Sequence, residues 1–568
     1  MINHTGRSRV RIGILVAVAL LGVYANTQAG SDETAHLNSV GVILPQDAAP
    51  PGEQVLRLMG TEHMHLDVAG NLYQASTESG AAWLWERLVM LDEHMQLVPG
   101  VAESWEMSAD GLSWTFHLRE DAMWSDGSAL TAHDFEYALK RQLDPATGSG
   151  WAWFYYDIKN AAAVNNGELE SSLLGVEALD DYTLIIHTEL PTLYLPMLMS
   201  VPSSAPVPRA VVEEYGFRWT TSPETCLTNS AFKLEEWEKG RRIVLTLNEN
   251  YRGSHNALLE RIEIYFGDPE FMFSAYQAGE IDGLHADVEY TFLTAADVAM
   301  IRRDSVLSNE LYTFPYPGTW YIFFDTLNAP FDNTYVRKAI SHAIDRETIL
   351  AVALKGLGVP AYGMLPPGIQ AYQGEQLESI QDYDPALARE LMEQAGYPEG
   401  AGFPSVELWL REPDSQTLLA AQMVQQMLKD NCGISVEVRP TESRLYNDEL
   451  ARNGIPMSLI SWYYDYLDPS NFLNIGWHSQ QSRHSWTNPE FDQLVDQAIA
   501  EANWSTRVLL YNQAEAILCE DVGAVFLWHP MHCQMWKPYV KGIDVDQNGY
   551  EWVSYWDLGM HHLYIADR

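Results

Sequence analysis

The clearest chemistry in this 568-residue chain is a carboxylate set among aromatic side chains. It lies in 460–472, ISWYYDYLDPSNF, where Asp465 stands among Trp462, Tyr463, Tyr464 and Tyr466 and an Asp-Pro turn follows. The apolar residues 457–460 predict a short buried strand, so Asp465 is expected where that strand leaves a sheet. A carboxylate walled by rings is largely desolvated, and a buried charge needs a partner. Where no Lys or Arg of the protein supplies one, a ligand cation does. A primary ammonium suits the role, and a charge-assisted hydrogen bond of this kind contributes about 1.5–3 kcal/mol. The competing reading is an ordinary loop whose aromatics are core and whose Asp465 caps a turn.

Other candidate groups are weaker. The acid pairs Asp465/Asp468 and Asp180/Asp181 could serve as acid and base of an exported hydrolase, a glycosidase for example, but they are neighbouring turn acids. The chain has no Gly-x-Ser-x-Gly elbow and no His-Glu-x-x-His zinc motif. His63 and His65 occupy alternate positions of a loop or strand and are expected to be exposed, and His561 and His562 near the tail suggest no site either. No metal and no cofactor is implied, and the reading is of a non-enzyme. The four cysteines, Cys226, Cys432, Cys519 and Cys533, allow three disulfide connectivities. Cys519 and Cys533 are the nearest pair in sequence and the favoured one, and the spacings match no zinc pattern.

Charge removes one class of partner. A formal net charge of −43 is the wrong sign for displacing counterions from phosphates, so nucleic-acid binding is excluded. The acids read chiefly as a solvated surface. The 19 Trp and 29 Tyr exceed what cores require, and a binding cleft is one outlet for them. Residues 1–29 read as a secretory signal peptide: Arg7, Arg9 and Arg11 precede the apolar run 12–23, with cleavage after Ala25 or Ala29. That run is short for a bilayer span. With no cysteine near the cleavage region, the mature protein is expected to be exported without a lipid anchor.

The elements that must position Asp465 follow from periodicity and caps. The length predicts two to four domains. Residues 31–52 read as a loose lead-in, 54–59 as the first strand, and 81–91 has helical apolar spacing. Strands are expected over 112–118 and 182–187, with a capping box at 131–134 opening a helix to about 142. A hairpin turns at Lys239-Gly240, a strand follows at 262–266, and a helix over 270–278 stops at Gly279. Apolar Val336, Ile340, Ala343 and Ile344 predict one helical face over 333–353. Asp384-Pro385 opens a helix that Gly396 closes. Strand, helix, strand over 406–410, 416–429 and 434–438 precede helices from Asn488-Pro489 and Ser505 and a late strand over 524–529. Mixed elements throughout predict an α/β architecture with mixed sheets.

Several segments together carry a family resemblance. Residues 97–141 (LVPGVAESWEMSADGLSWTFHLREDAMWSDGSALTAHDFEYALKR) resemble the signature region of family-5 extracellular solute-binding proteins, the oligopeptide- and dipeptide-binding receptors of ABC importers. In the same order follow 229–237 with 243–251, AGEID at 278–282, PFDNTYVRKAISHAIDR at 330–346, GMLPPG at 363–368, 383–397, 462–472 and WKP at 536–538. The resemblance spans about residue 54 onwards.

It implies a two-lobed periplasmic-binding-protein clamp with an extra accessory domain and discontinuous lobes. Lobe I would comprise 30–87, 210–311 and 531–568, the accessory domain 88–209, and lobe II 312–530. Asp465 stands where relatives hold a ligand's α-ammonium group. Ser461 and Tyr463 would offer backbone groups to an extended ligand, Trp462 would wall the pocket, and Trp151 would reach the ligand from the accessory domain. The implied protein is a periplasmic, monomeric receptor that gives a peptide to ABC transporter permease subunits in the inner membrane. Departures from the pattern are Leu459, where some relatives carry a base six positions before the acid, Leu66-Asp67-Val68 in place of Leu-Asp-Pro, and an altered spacing to Glu86. Relatives that bind nickel complexes, haem or sugar oligomers leave a non-peptide solute as the alternative.

Overall fold

The computed structural model describes residues 36–70, 81–92, 95–284, 293–482, 484–543 and 559–568. The expected signal segment lies outside the described residues. Three larger sheets carry the architecture. In the first, Val55–Gly60 pairs parallel with Arg261–Phe266, and the antiparallel hairpin Phe232–Glu238 with Arg242–Leu247 completes it. The pairing joins strands far apart in sequence, so the long segment between them is inserted relative to this sheet. Part of that segment builds the second sheet, an antiparallel set in the order Ala102–Met107, Ser113–Leu118, Thr183–His187, Val176–Asp180. The helix Ala132–Leu143 packs on it and opens with the expected box, Thr131 N–H donating to the Asp134 carboxylate at 2.8 Å.

A single apolar core runs through both sheets, from Leu56 and Ile262 to Phe116 and Leu184. Two buried acids pin it. Asp67 accepts both terminal nitrogens of Arg141 at 2.9 and 2.8 Å, and Glu86 accepts from Arg119 at 2.5 Å and from the Tyr251 hydroxyl at 2.9 Å.

The third sheet is mixed. Its strands run Gly283–Leu284, Ala524–Trp536, Gly318–Phe324, Met457–Tyr463, Val406–Arg411, Val436–Thr441, with Leu311–Pro315 and Gly358–Pro360 also paired to Ala524–Trp536. Val406–Arg411, the helix Ser415–Cys432 and Val436–Thr441 form a parallel strand–helix–strand unit. Met457 and Leu459 enter the core on one face, while Ile460 and Trp462 enter that on the other. Burial on both faces explains why apolar residues stand at both odd and even positions of this strand. The expected lobe boundaries at 311/312 and 530/531 fall inside Leu311–Pro315 and Ala524–Trp536.

Several expectations are corrected. Residues 81–91 are a short turn, Ala81–Trp83, and a strand, Val89–Leu91. The buried Asn229 amide accepts from the Glu86 N–H at 3.1 Å and donates to the Glu86 carbonyl at 2.9 Å, so those groups are not available to a helical ladder. Residues 333–353 form two helices, Thr334–His342 and Arg346–Val352, because the Asp345 carboxylate caps the second through the Thr348 N–H at 3.0 Å. Within the lead-in, Ala48 and Ala49 are buried and the Asn38 amide donates to the Ala257 carbonyl at 2.9 Å, so 36–52 is docked and not loose. The late strand continues to Trp536.

The favoured Cys519–Cys533 disulfide does not form. All four cysteines are free and buried, and Cys519, on the helix Trp504–Glu520, and Cys533, on the strand Ala524–Trp536, belong to different cores. Burial raises every one of these thiols, to about 12 at Cys432 and Cys533 and further still at Cys226 and Cys519. His63 and His65 are half-buried, not exposed, and burial lowers both, leaving them neutral.

Candidate functional site

Asp465 lies two residues beyond Met457–Tyr463, where the strand leaves the sheet, as the sequence predicts. It is half-buried, less than the largely desolvated state expected from its aromatic neighbours. Asn471 organises the turn. It is 0% exposed, its amide oxygen accepts from the Asp465 N–H at 3.1 Å and the Trp462 indole N–H at 3.2 Å, and its amide nitrogen donates to Asp465 Oδ2 at 2.8 Å. One buried amide therefore fixes both the backbone and the carboxylate of the acid. Trp462 is turned into the core, and its polar contribution is the bond to Asn471.

The strand's hydrogen-bond parity decides what Ser461 and Tyr463 present. Gly318–Phe324 pairs antiparallel with Met457–Tyr463 in the register Gly318↔Tyr463, Thr319↔Trp462, Trp320↔Ser461. One step beyond, the Tyr464 N–H donates to the Pro317 carbonyl at 2.9 Å. Bonded and non-bonded pairs alternate in such a ladder, so Trp462 and Ile460 point their backbone groups at Gly318–Phe324. Ser461 and Tyr463 point theirs to the other edge. There, Val406–Arg411 runs parallel and bridges through Trp409 to Ser458. It ends level with Ile460, and the edge from Ser461 onward extends past it.

Aromatic groups frame this edge. The Tyr463 ring lies over Gly318, where a Cβ would fall 2.4 Å from Tyr463 Cδ1, so no other residue fits there without moving the ring. The Tyr463 hydroxyl accepts from the Trp320 indole at 3.2 Å. Tyr316 stacks on His532 at 3.8 Å and meets Tyr463 at 5.5 Å. Burial lowers His532 to about 3, so the stacked imidazole is neutral.

The next residues tie the acid to the second sheet's side. Tyr466 enters the first core, stacked on Tyr194 at 5.3 Å and edge-on to Phe154 at 6.3 Å. Trp151, half-buried, packs on Phe154 at 5.0 Å, and its buried indole N–H has no acceptor among the described residues. The structure thus brings Trp151 to the Tyr466 side of the turn, one ring removed. Asp468 forms a bidentate pair with the fully buried Arg507 at 2.6 and 2.8 Å.

A buried acid also anchors the 363–368 loop. Glu515, on the helix Trp504–Glu520, accepts from the Leu365 N–H at 2.8 Å and the Gln373 amide at 3.2 Å. Gly363 passes so near that a Cβ would lie 2.6 Å from Glu515 Oε1. The adjacent Met364 carbonyl accepts from the Thr319 hydroxyl at 2.8 Å, linking the loop to Gly318–Phe324. Burial pushes Glu515 up from 4.5 to about 7. The folded chain holds this proton where the unfolded chain has released it, so the group's contribution is complete below about pH 4.5 and lost as pH rises through about 7. Glu515→Gln is expected to flatten the fall in urea midpoint between about pH 5 and pH 8, by up to about 3 kcal/mol. An unchanged slope would place the pH dependence on other groups.

Asn471, Gly318, His532, Glu515 and Arg507 were not singled out from sequence. Asn471 stood inside the motif with no local sign of its role, and the others are distant in the chain from Asp465.

With this geometry in view, the comparisons with known proteins are decisive. The sequence profile of the bacterial extracellular solute-binding proteins, family 5, matches residues 96–484. The chain belongs to that family. The periplasmic oligopeptide-binding protein OppA of Salmonella typhimurium (strain LT2) is 30% identical over 551 residues, covering 95% of this chain and 96% of its own. The probable deoxycholate-binding periplasmic protein YgiS of Escherichia coli (strain K12) is 31% identical over 467 residues, covering 81% and 85%. Among solved structures, the unliganded open form of the periplasmic murein tripeptide binding protein MppA matches with a TM-score of 0.76 at 30% identity, covering 92% of this chain and 99% of that one. The fold is the two-lobed α/β clamp of the periplasmic binding proteins, as expected. Members of this family are substrate-binding receptors. No helix among the described residues is long and apolar enough to cross a membrane.

Proposed function

We propose that this protein is a periplasmic receptor that captures short peptides and delivers them to an ABC importer. Asp465 holds the peptide's α-ammonium group, and the outward-facing backbone groups of Ser461 and Tyr463 take its main chain as an added strand. That strand edge beside a fixed carboxylate is the observation that carries the reading, and the names of the OppA and MppA relatives support it. Backbone pairing is blind to side chains, so affinity is expected across mixed sequences. Trp151 and Tyr463 line the chamber. Lobe I is formed by 30–87, 210–311 and 531–568, the accessory domain by 88–209 and lobe II by 312–530. The lobes close about the strands Leu311–Pro315 and Ala524–Trp536, and the closed form is what the permease subunits recognise. The chain is exported, loses residues 1–29, acts as a monomer, and binds without bond chemistry.

A second reading has one specific observation behind it. The YgiS relative is named for deoxycholate, and the aromatic frame of Tyr316, Tyr463 and His532 would accept an apolar solute. Mass spectrometry of ligand released by denaturing the purified protein separates the two. A mixture of short peptides is expected; a single sterol-like compound, a sugar or a metal complex would overturn the peptide assignment.

A further inference from the structure

On the peptide reading and the lobe boundaries proposed above, Asp465 belongs to lobe II, yet the residue beside it packs elsewhere. Tyr466, 4% exposed, enters the core that runs through the first two sheets. It stacks there on Tyr194 of the accessory domain, with ring centres 5.3 Å apart and planes 9° from parallel, and meets Phe154 edge-on at 6.3 Å. Arg507, also of lobe II, holds its guanidinium 5.6 Å from the centre of the same Tyr194 ring. Leu97, Met197 and Ile475 lie against both this core and the one that holds Trp462 and Phe472.

The polar groups of these rings are satisfied on their own sides of the contact. The Tyr466 hydroxyl pairs with that of Ser470 at 3.1 Å, and the Tyr194 hydroxyl donates to Asp157 at 2.8 Å. Arg507 keeps both Asp468 oxygens. Drawing lobe II away from the accessory domain therefore breaks none of these bonds and strands no charge. It gives up ring contact and buried apolar area alone. Such a contact can be made and released repeatedly. Because it consists of the protein's own groups, it acts before a ligand arrives.

We infer that the stack of Tyr466 on Tyr194 is a latch between lobe II and the accessory domain, which biases the clamp toward closure and raises the affinity for every ligand by the same factor. A receptor's apparent affinity is that of its binding-competent form scaled by the fraction in that form. Losing the stack lowers that fraction whatever charge the ligand carries. The anchor at Asp465 differs in this respect, since it acts on an ammonium group. A stacked aromatic pair corresponds to a change of about threefold to tenfold.

Small-angle X-ray scattering of the ligand-free protein, with calorimetric titration of trialanine and N-acetyl-trialanine, tests this on wild type, Tyr194→Ala, Tyr466→Ala, their double variant and Tyr194→Phe. Tyr194→Ala is expected to enlarge the ligand-free radius of gyration and to weaken both peptides alike, by about threefold to tenfold. The double variant should bind no more weakly than Tyr466→Ala, because each single change already removes the shared contact. Tyr194→Phe keeps the ring and gives up the bond to Asp157, so it should stay close to wild type. An unchanged radius in Tyr194→Ala overturns the latch. So does a loss confined to trialanine, which would place the effect in the Asp465 turn, and so do losses that add in the double variant. Wild type that binds neither peptide sinks the peptide reading, and the scattering result then decides the latch by itself. Should Tyr194→Ala fail to fold, Tyr194→Leu, which has apolar bulk without a ring face, takes its place in both measurements.

Discussion

Asp465→Ala should weaken binding of a free-amine peptide by about 1.5–3 kcal/mol, roughly tenfold to a hundredfold. The range is that of a single charge-assisted hydrogen bond, because Asp465 is half-buried and water moderates its charge. Charge and shape can be separated. Asp465→Asn keeps an oxygen for the Asn471 amide, which now donates to Asp465 Oδ2 at 2.8 Å, so the turn should survive while the attraction for an ammonium is lost. An N-acetylated peptide has no ammonium to lose and should bind wild type and Asp465→Asn alike. Titrations that show equal losses for the acetylated and free-amine peptides would assign the effect to the turn and remove Asp465 from the ligand's first contact.

Arg507→Met should cost about 3–5 kcal/mol of stability. Arg507 is 0% exposed, and besides both Asp468 oxygens it donates to the Ala498 carbonyl at 3.0 Å and the Tyr511 hydroxyl at 3.1 Å. Removing it leaves the Asp468 carboxylate buried without its counter-charge. The double variant Asp468→Leu with Arg507→Met should recover most of the loss, since the damage comes from the stranded charge more than from the absent pair. Urea unfolding would read both. A double variant no more stable than Arg507→Met would show that the Arg507 bonds to Ala498 and Tyr511 carry the stability instead. Because Tyr466 stacks on Tyr194, whose ring lies 5.6 Å from the Arg507 guanidinium, Arg507→Met should also loosen the turn that holds Asp465.

Much of this protein was legible in its residues. Local signals gave the caps at Thr131, Asp384 and Asn488 and the hairpin at Lys239-Gly240, because a cap or turn is decided by side chains within a few positions. The apolar run before Asp465 placed the acid at a strand's end for the same reason. Ordered motifs from 97–141 to 536–538 carried the family, which the profile match over 96–484 bears out. The split of 333–353 is local, the Asp345 cap starting a second helix, but in other misreadings a distant group outbid a local preference. Asn229 holds Glu86 by both backbone groups and so denies 81–91 its helix. Docking against Ala257 orders the lead-in, and separation into different cores keeps Cys519 from Cys533.

The site divides along the same line. Sequence alone determined that a carboxylate, aromatic rings and an extended segment meet near Asp465, since one short stretch contains them all. Only the tertiary structure decided how exposed that carboxylate is, that Asn471 fixes it, and that Ser461 and Tyr463 face an edge where Val406–Arg411 stops at Arg411. Hydrogen-bond parity and the end of a neighbouring strand are properties of pairing between segments far apart in the chain. No spacing within 460–472 encodes them.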